Sequence, residues 1–359
     1  MRRHRLVLLA APLVVALGLS TAPASAADTF VAQLQRPSAI RGYAGIEVFS
    51  DFDGTAYRLA IVRDGKLEHL PVAPSQAPFD ADIGPDRNGR PQLIYTRCGI
   101  ARDSGTGTSG LKGCDLFVFS LTGGTERPVR NANTDADEVA PTLWKGRIAF
   151  ARGSLGGPAF EVGAHERAVV YTKELMAPRS RPSTRLPGIP RRGADRGRTT
   201  GGNVAELELS GEHLAEIVNF VGSPVESPQQ TEVRLVDIAD RSTRRLAHTS
   251  VGEGGQYFAG IGFADGHLAW AAEWVTGGGA VTPGIYRYRL SNGELSRAPR
   301  PRGLWWIVGL APFDADGAYV IDAQPAADGC GDITGEPPVL ERPCQLVRSE
   351  PLSFRPVQR

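Results

Sequence analysis

A hairpin unit that recurs along the chain constrains the fold more than any other feature. Apolar strands run into Asp-Gly, Gly-Gly and Asn-Gly turns at Gly65, Gly124 and Gly293, and each turn leads into a second strand. Glycine and asparagine accept the positive φ that two-residue hairpin turns require. Gly65 and Gly124 lie 59 residues apart, and a further turn at Asp240 follows after 116 residues, or two units of 58. The chain is therefore built from repeats.

A second hairpin precedes several of these turns. Residues 143–149, 209–215 and 263–269 each read as an apolar residue, a glycine turn and an apolar strand. The repeat thus contains four antiparallel strands, which is the blade of a β-propeller. The sequence predicts one all-β propeller domain over 27–359, with residues 29–35 closing the ring on the last blade. Its six blades are expected at about 37–75, 76–135, 136–200, 201–250, 251–300 and 301–359.

The repeat also resembles a known family. Residues 141–150, Pro-Thr-Leu-Trp-Lys-Gly-Arg-Ile-Ala-Phe, are similar to the TolB-type, WD40-like propeller repeat, and residues 115–130 resemble its second hairpin. The usual Ser-Pro-Asp-Gly turn is missing at Trp144, and two cysteine-bounded loops are inserted. The resemblance implies a six-bladed extracytoplasmic propeller whose relatives mostly bind proteins, and it names no partner.

The N-terminus is typical of an exported protein. Arg2, Arg3 and Arg5 precede an apolar run over 6–19, and 24–26 read Ala-Ser-Ala. We expect a secretory signal over 1–26, cleaved after Ala26, and no later transmembrane segment. Removing the three arginines changes the formal charge from +1 to −2. This near-neutral balance gives no argument for nucleic acid. We expect a secreted or extracytoplasmic monomer whose partner is an exported protein or a cell-envelope polymer.

Four cysteines form two close pairs. An even number of cysteines in an exported chain predicts disulfides, and three connectivities are possible. Local pairing is the simplest: Cys98 with Cys114, and Cys330 with Cys344. Zinc is the alternative, but neither pair has the Cys-x-x-Cys spacing of a zinc site.

Two aspartates are the best candidates for chemistry. Asp80 and Asp82 alternate on one face of a predicted inner strand, where they could bind Ca²⁺ or face the channel. The alternative is a purely structural role, in which the two aspartates cap turns. Their segment, Ala-Pro-Phe-Asp-Ala-Asp at 77–82, recurs at 311–316, but at a different distance from the next strand. No nucleophile elbow, phosphate loop or zinc-protease motif is present, so no catalytic residue is assigned.

A basic segment is the candidate contact surface. Arg191, Arg192, Arg196 and Arg198 belong to an Arg- and Pro-rich stretch with a single acid. It could bind an acidic partner or an anionic polymer, or it could be a solvated loop. Trp270 could stack on a sugar or belong to the core between blades.

Two functions remain open at this point. The first is an exported, non-enzymatic binding scaffold for a protein or a polymer. The alternative is a propeller enzyme of lactonase or lyase type that uses channel-facing acids and a metal. An enzyme should bring Asp, His or Arg side chains of three or more blades together at the channel mouth, whereas a binding module should present an apolar or aromatic patch there.

Overall fold

The protein is a six-bladed β-propeller, as the sequence predicts. The computed structural model describes residues 28–102, 109–153, 169–178, 181, 183–187, 192–193, 199–200, 202–220, 229–251, 256–274, 282–301, 303–304, 307–322 and 344–357. All regular elements in these ranges are strands. No helix that the structure describes has the length and apolar character needed to cross a membrane.

The strands follow the chain from blade to blade, with the first strand of each blade at the axis. Strand β1 (Thr29–Leu34) precedes the blades. Blade 1 contains β2 (Ile40–Tyr43), β3 (Ile46–Phe52), β4 (Tyr57–Arg63) and β5 (Lys66–His69). Blade 2 contains β6 (Ala81–Pro85), β7 (Pro91–Arg102), β8 (Ser109–Ser120) and β9 (Thr125–Pro128). Blade 3 contains β10 (Asp137–Trp144), β11 (Arg147–Gly153), β12 (Val169–Glu174) and β13 (Thr184–Arg185).

The second half repeats this arrangement. A short ladder of β14 (Arg192–Gly193) and β15 (Thr199–Thr200) precedes blade 4. Blade 4 contains β16 (Gly202–Ser210), β17 (His213–Phe220), β18 (Gln229–Asp237) and β19 (Thr243–Val251). Blade 5 contains β20 (Gln256–Ala264), β21 (His267–Trp274), β22 (Gly284–Arg289) and β23 (Leu295–Ala298). Blade 6 contains β24 (Ile307–Pro312), β25 (Ala318–Asp322) and β26 (Cys344–Ser349), and β27 (Arg355–Pro356) follows.

The two ends of the described chain fasten neighbouring blades. Strand β1 pairs antiparallel with β26, with Leu34 opposite Cys344, so the N-terminal strand completes blade 6. This confirms the predicted closure of the ring. Strand β27 crosses to blade 5 and pairs with β23, with Pro356 opposite Ser296. The N-terminal strand thus completes the last blade, and the C-terminal strand extends the blade before it.

The predicted turn chemistry and the first disulfide are confirmed. Asp64 and Gly65 have φ of 51° and 71°, as a tight hairpin turn between β4 and β5 requires. Cys98 on β7 is bonded to Cys114 on the neighbouring β8. Cys344 is disulfide-bonded as well, whereas Cys330, its predicted partner, lies outside the described residues. No free cysteine occurs in the described part of the chain.

The core lies between blades, because successive residues of a strand face opposite neighbours. On β21, Trp270 packs with Ile217 of blade 4, whereas Ala271 packs with Leu310 of blade 6. Trp270 is fully buried, so it belongs to the core between blades and not to a sugar platform.

Aromatic pairs recur at one position of these interfaces. The second and third strands of a blade place two directly opposite residues toward the preceding blade. These residues are stacked aromatic pairs in three blades: Tyr95 with Phe117 in blade 2, Phe150 with Tyr171 in blade 3, and Trp270 with Tyr286 in blade 5. In blade 4 the same position holds Glu216 opposite Arg234, 3.1 Å apart and buried.

Candidate functional site

Charged side chains of three blades meet at the axis of the ring. We call them the axial cluster: Arg41 on β2, Asp80 just before β6, Asp82 on β6, and Glu206 and Glu208 on β16. Because side chains alternate along a strand, spacings of two residues place Asp80 with Asp82 on the face of blade 2 toward blade 3, and Glu206 with Glu208 on the face of blade 4 toward blade 5. The two predicted aspartates thus lie close enough to the axis for their charges to act on Arg41, while their carboxylates contact blade 3.

Arg41 crosses the channel. Its Nη2 lies 3.0 Å from Glu206 Oε2 and its Nε lies 3.3 Å from Glu208 Oε2, while Nη1 donates to the Ile40 carbonyl at 3.1 Å. Blades 1 and 4 are opposite each other in a ring of six. The side chains of Arg41, Glu206 and Glu208 are only 4%, 13% and 9% exposed. An ion pair thus bridges the ring across its axis.

The two aspartates hold blade 3 against blade 2. Asp80 Oδ2 accepts the Ala140 N–H at 2.7 Å, and Asp82 Oδ2 accepts the Leu143 N–H at 2.8 Å. Asp82 Oδ1 also accepts the Ile83 N–H at 2.7 Å. A bulge in β10 around Ala140 withdraws backbone groups from the sheet ladder. Leu143 lies beyond the bulge, but β10 is the edge strand of its sheet, so the aspartates accept N–H groups that β10 does not use in its own ladder.

Glu206 does the same for blade 5. Its two carboxylate oxygens accept the N–H groups of Gly260 and Ile261 at 3.0 and 3.1 Å, again at a bulge. Gly260 has φ 60°, and a Cβ on it would lie 2.3 Å from the Leu310 backbone nitrogen. Only glycine fits here, because blades 5 and 6 approach so closely.

Such contacts run around most of the ring. A side chain of one blade accepts an N–H of the next blade at five interfaces. Besides the contacts of Asp80, Asp82 and Glu206, these are Phe79 N–H to Ser50 Oγ at 3.0 Å, Leu209 N–H to Thr142 Oγ1 at 2.9 Å, and Ile307 N–H to Glu273 Oε1 at 3.3 Å. The polar groups near the axis therefore fasten blade to blade.

Burial sets the electrostatics of the cluster. Loss of solvent raises the pKa of Asp80 to about 6 against the opposing effect of Arg41. Burial also raises the pKa of Asp82, and burial together with the charge of Asp82 raises that of Glu208 well above its usual range. Burial disfavours the charge on Arg41, but the surrounding carboxylates, Glu206 foremost, raise its pKa overall.

The predicted calcium site gains no further ligand. No group of three His, Cys, Asp or Glu side chains in the described ranges is arranged to hold a metal ion. The oxygens of Asp80 and Asp82 accept backbone N–H groups instead. Calcium binding by Asp80 and Asp82 stays a prediction.

The second copy of the aspartate motif lies elsewhere in its blade, as its spacing indicates. Asp314 and Asp316 occupy the turn between β24 and β25, and not the start of an inner strand. Asp316 Oδ1 accepts from Arg287 Nη1 at 2.8 Å. The repeated motif therefore does not form a paired site.

Most of the basic segment lies outside the residues that the structure describes. Arg192 belongs to β14, whereas Arg191, Arg196 and Arg198 lie outside the described residues. Contact of a ligand with these arginines stays a prediction.

Comparisons with known proteins show the fold. The chain is similar to a structure of YjhT, with TM-score 0.53 and 11% identity over 91% of this chain and 99% of that one. It is also similar to an α-L-arabinanase of Penicillium chrysogenum bound to arabinobiose, with TM-score 0.51 and 12% identity over 91% and 98%. A third is the α-L-arabinofuranosidase Arb93A of Fusarium graminearum, with TM-score 0.50 and 9% identity over 90% and 97%. At such identities the likeness establishes the propeller and no activity.

Sequence comparison adds no family. No family model matches the chain, and no curated protein matches it either.

Sequence reasoning found two members of the axial cluster and missed three. Arg41, Glu206 and Glu208 lie far from the aspartates in sequence. The signal for the glutamates was available, because 206 and 208 show the two-residue spacing of 80 and 82 on a predicted inner strand. Arg41 had no such signal.

Proposed function

We propose that this protein is an exported, non-enzymatic binding scaffold for a protein or polymer ligand, and that its axial cluster is structural. The observation that carries the proposal is the contact of Arg41 with Glu206 at 3.0 Å across the ring. A ligand that entered the channel at this level would have to displace a buried ion pair, which is strongly unfavourable.

The hydrogen bonds of the acids support the same conclusion. A general acid or base must lie within hydrogen-bond reach of the substrate. Asp82 is 1% exposed, and its oxygens accept two backbone N–H groups. Glu206 accepts two N–H groups of blade 5 and pairs with Arg41. These carboxylates are engaged in holding the ring together.

The ligand-binding part of the proposal rests on the basic segment. The four arginines at 191, 192, 196 and 198 are concentrated in a chain whose mature charge is negative. Export and resemblance to TolB-type propellers, which mostly bind proteins, agree with an extracytoplasmic partner. Exposed contacts of this kind steer association and weaken as salt shortens the screening length to about 8 Å.

Capture from a cell-envelope extract tests the proposal. Immobilised protein beginning at Ala27 is compared with a variant in which Arg191, Arg192, Arg196 and Arg198 are replaced by Ser. We expect the variant to capture less of its partner, with a flatter salt dependence and an unchanged melting temperature. The matched control replaces four exposed arginines elsewhere: Arg90, Arg127, Arg130 and Arg355. Equal loss in the control, or unchanged capture at every salt concentration, contradicts the role of the segment.

A second candidate is favoured by one observation. Charged side chains of blades 1, 2 and 4 converge at the axis, which is the arrangement expected of a propeller enzyme. Two structures of similar fold are enzymes acting on arabinose-containing substrates. Turnover on a panel of lactones, polyuronates and arabino-oligosaccharides, with and without Ca²⁺, tests this function. Activity that Asp80→Asn abolishes in a folded variant would replace the scaffold proposal.

A further inference from the structure

The axial cluster contains more carboxylates than its surroundings compensate. One guanidinium, Arg41, faces four carboxylates. Backbone N–H groups compensate Asp80, Asp82 and Glu206. The remaining acid, Glu208, lies 3.3 Å from Arg41 Nε, and its Oε2 makes no hydrogen bond in the described structure. Glu208 is thus the least compensated negative group of the cluster.

We propose that Glu208 is a proton-binding site at the axis, held as a neutral carboxylic acid in the closed ring. Arg41 and Glu206 then form the ion pair across the channel, and the two aspartates keep their backbone donors. The inference concerns the closure of the ring and is independent of which ligand the scaffold binds.

The surroundings of Glu208 support this assignment. The charged groups that act on it are Asp82 from blade 2, Arg41 from blade 1 and Glu206 from its own strand. The N–H groups that β10 and β20 direct toward the cluster are bonded to Asp80, Asp82 and Glu206, and not to Glu208. Burial and Asp82 raise the pKa of Glu208, and Arg41 lowers it by less.

A retained proton makes ring stability depend on pH in a definite direction. The folded chain keeps the proton at pH values where the unfolded chain, with a glutamate pKa of about 4.3, has lost it. The contribution of Glu208 to stability is therefore full below about pH 4 and is lost as the pH rises through the pKa of the folded state. Glu208 therefore stabilises the closed ring more in acidic surroundings than in neutral ones.

The test compares melting temperatures of the wild type and Glu208→Gln between pH 4.5 and pH 8. Glutamine matches the neutral acid in shape, so the variant should fold. Its melting temperature minus that of the wild type should grow by several degrees over this range. Glu68→Gln, on the exposed β5, is the control, and its difference should stay constant with pH.

Three results would overturn the proposal. The first is a difference between Glu208→Gln and the wild type that does not change with pH. The second is a difference that turns against the variant as pH rises. The third is failure of Glu208→Gln to fold at any pH. The first two would show that the folded ring does not retain a proton on Glu208, and the third would show that a neutral side chain of this shape does not fit the site.

Discussion

Blade 4 and its neighbours fill equivalent positions between blades with different kinds of side chain. Where blade 5 stacks Trp270 on Tyr286 at 5.7 Å, blade 4 pairs Glu216 with Arg234 at 3.1 Å. Both pairs occupy directly opposite positions on the second and third strands. Strand register therefore decides which positions are buried between blades, and the residue type at such a position can vary.

An ion pair in place of an aromatic pair changes the energetics of the interface between blades. An aromatic pair gains from burial and from about 0.5–1.5 kcal/mol of stacking. A buried ion pair has to regain the cost of desolvating both charges, and well-packed apolar residues often match or exceed it. Leu214 and Val236, on the same face of blade 4, remain apolar. The ion pair is thus a local exception within an apolar interface.

The largest effect is expected when the blade 4 pair is broken on one side. Glu216→Leu leaves the buried Arg234 without its partner, which typically costs about 3–5 kcal/mol of unfolding free energy. Chemical denaturation measures the loss. Glu212→Leu, at an exposed turn of the same blade, is the control and should change stability far less. A loss below about 1 kcal/mol in Glu216→Leu would show that Arg234 reaches solvent.

Copying the aromatic pair of blade 3 into blade 4 tests whether the equivalent position in blade 4 can accept two stacked rings. We expect Glu216→Phe combined with Arg234→Tyr to fold and to be between neutral and about 4 kcal/mol more stable than the wild type. Denaturant unfolding and near-ultraviolet circular dichroism check the outcome. Strong destabilisation of the double variant would mean that the two interfaces are not equivalent.

The pH dependence sharpens the same comparison. Burial raises the pKa of Glu216 to about 7, and Arg234 opposes the rise. Because this value exceeds that of the unfolded chain, the contribution of Glu216 is full below about pH 4 and is lost as the pH rises to about 7. The loss is about 3 kcal/mol, from 1.36 kcal/mol per pKa unit. The aromatic double variant should lack this component, and identical pH profiles would contradict the assignment.

The smallest effect belongs to an aromatic pair. Phe117→Leu keeps an apolar side chain opposite Tyr95 but removes the stacked ring 6.1 Å away. The expected loss is about 1 kcal/mol, because stacking contributes little beyond buried area. A loss as large as that of Glu216→Leu would mean that the stack, and not the burial, holds blade 2 in place.

The sequence revealed what depends on local pattern. Turn residues predicted the hairpins, the unpaired strand at 29–35 predicted ring closure, and the close spacing of Cys98 and Cys114 predicted their bond. The three matched segments end one residue before the core position, where Phe150 and Trp270 follow two of them and Glu216 follows the third. Comparing one residue further would have exposed the exception in blade 4.

The axial cluster depends on distant pairing instead. Arg41 and Glu206 are 165 residues apart, and only the closed ring brings them together. Strand alternation predicts that the two aspartates share one face of their strand, but it does not predict which side chains they meet there. The ion pair that bridges the axis was therefore beyond sequence reasoning.

A double-mutant cycle across the axis tests the central claim most directly. The unfolding free energies of the wild type, Arg41→Met, Glu206→Gln and the double variant are measured by denaturant titration at pH 7. If the cluster holds opposite blades together, each single variant loses several kcal/mol of unfolding free energy. The coupling free energy between the two sites is then about 0.5–3 kcal/mol. A coupling near zero with wild-type stability in both single variants would contradict the account, because the charged axis would then be free to serve a ligand.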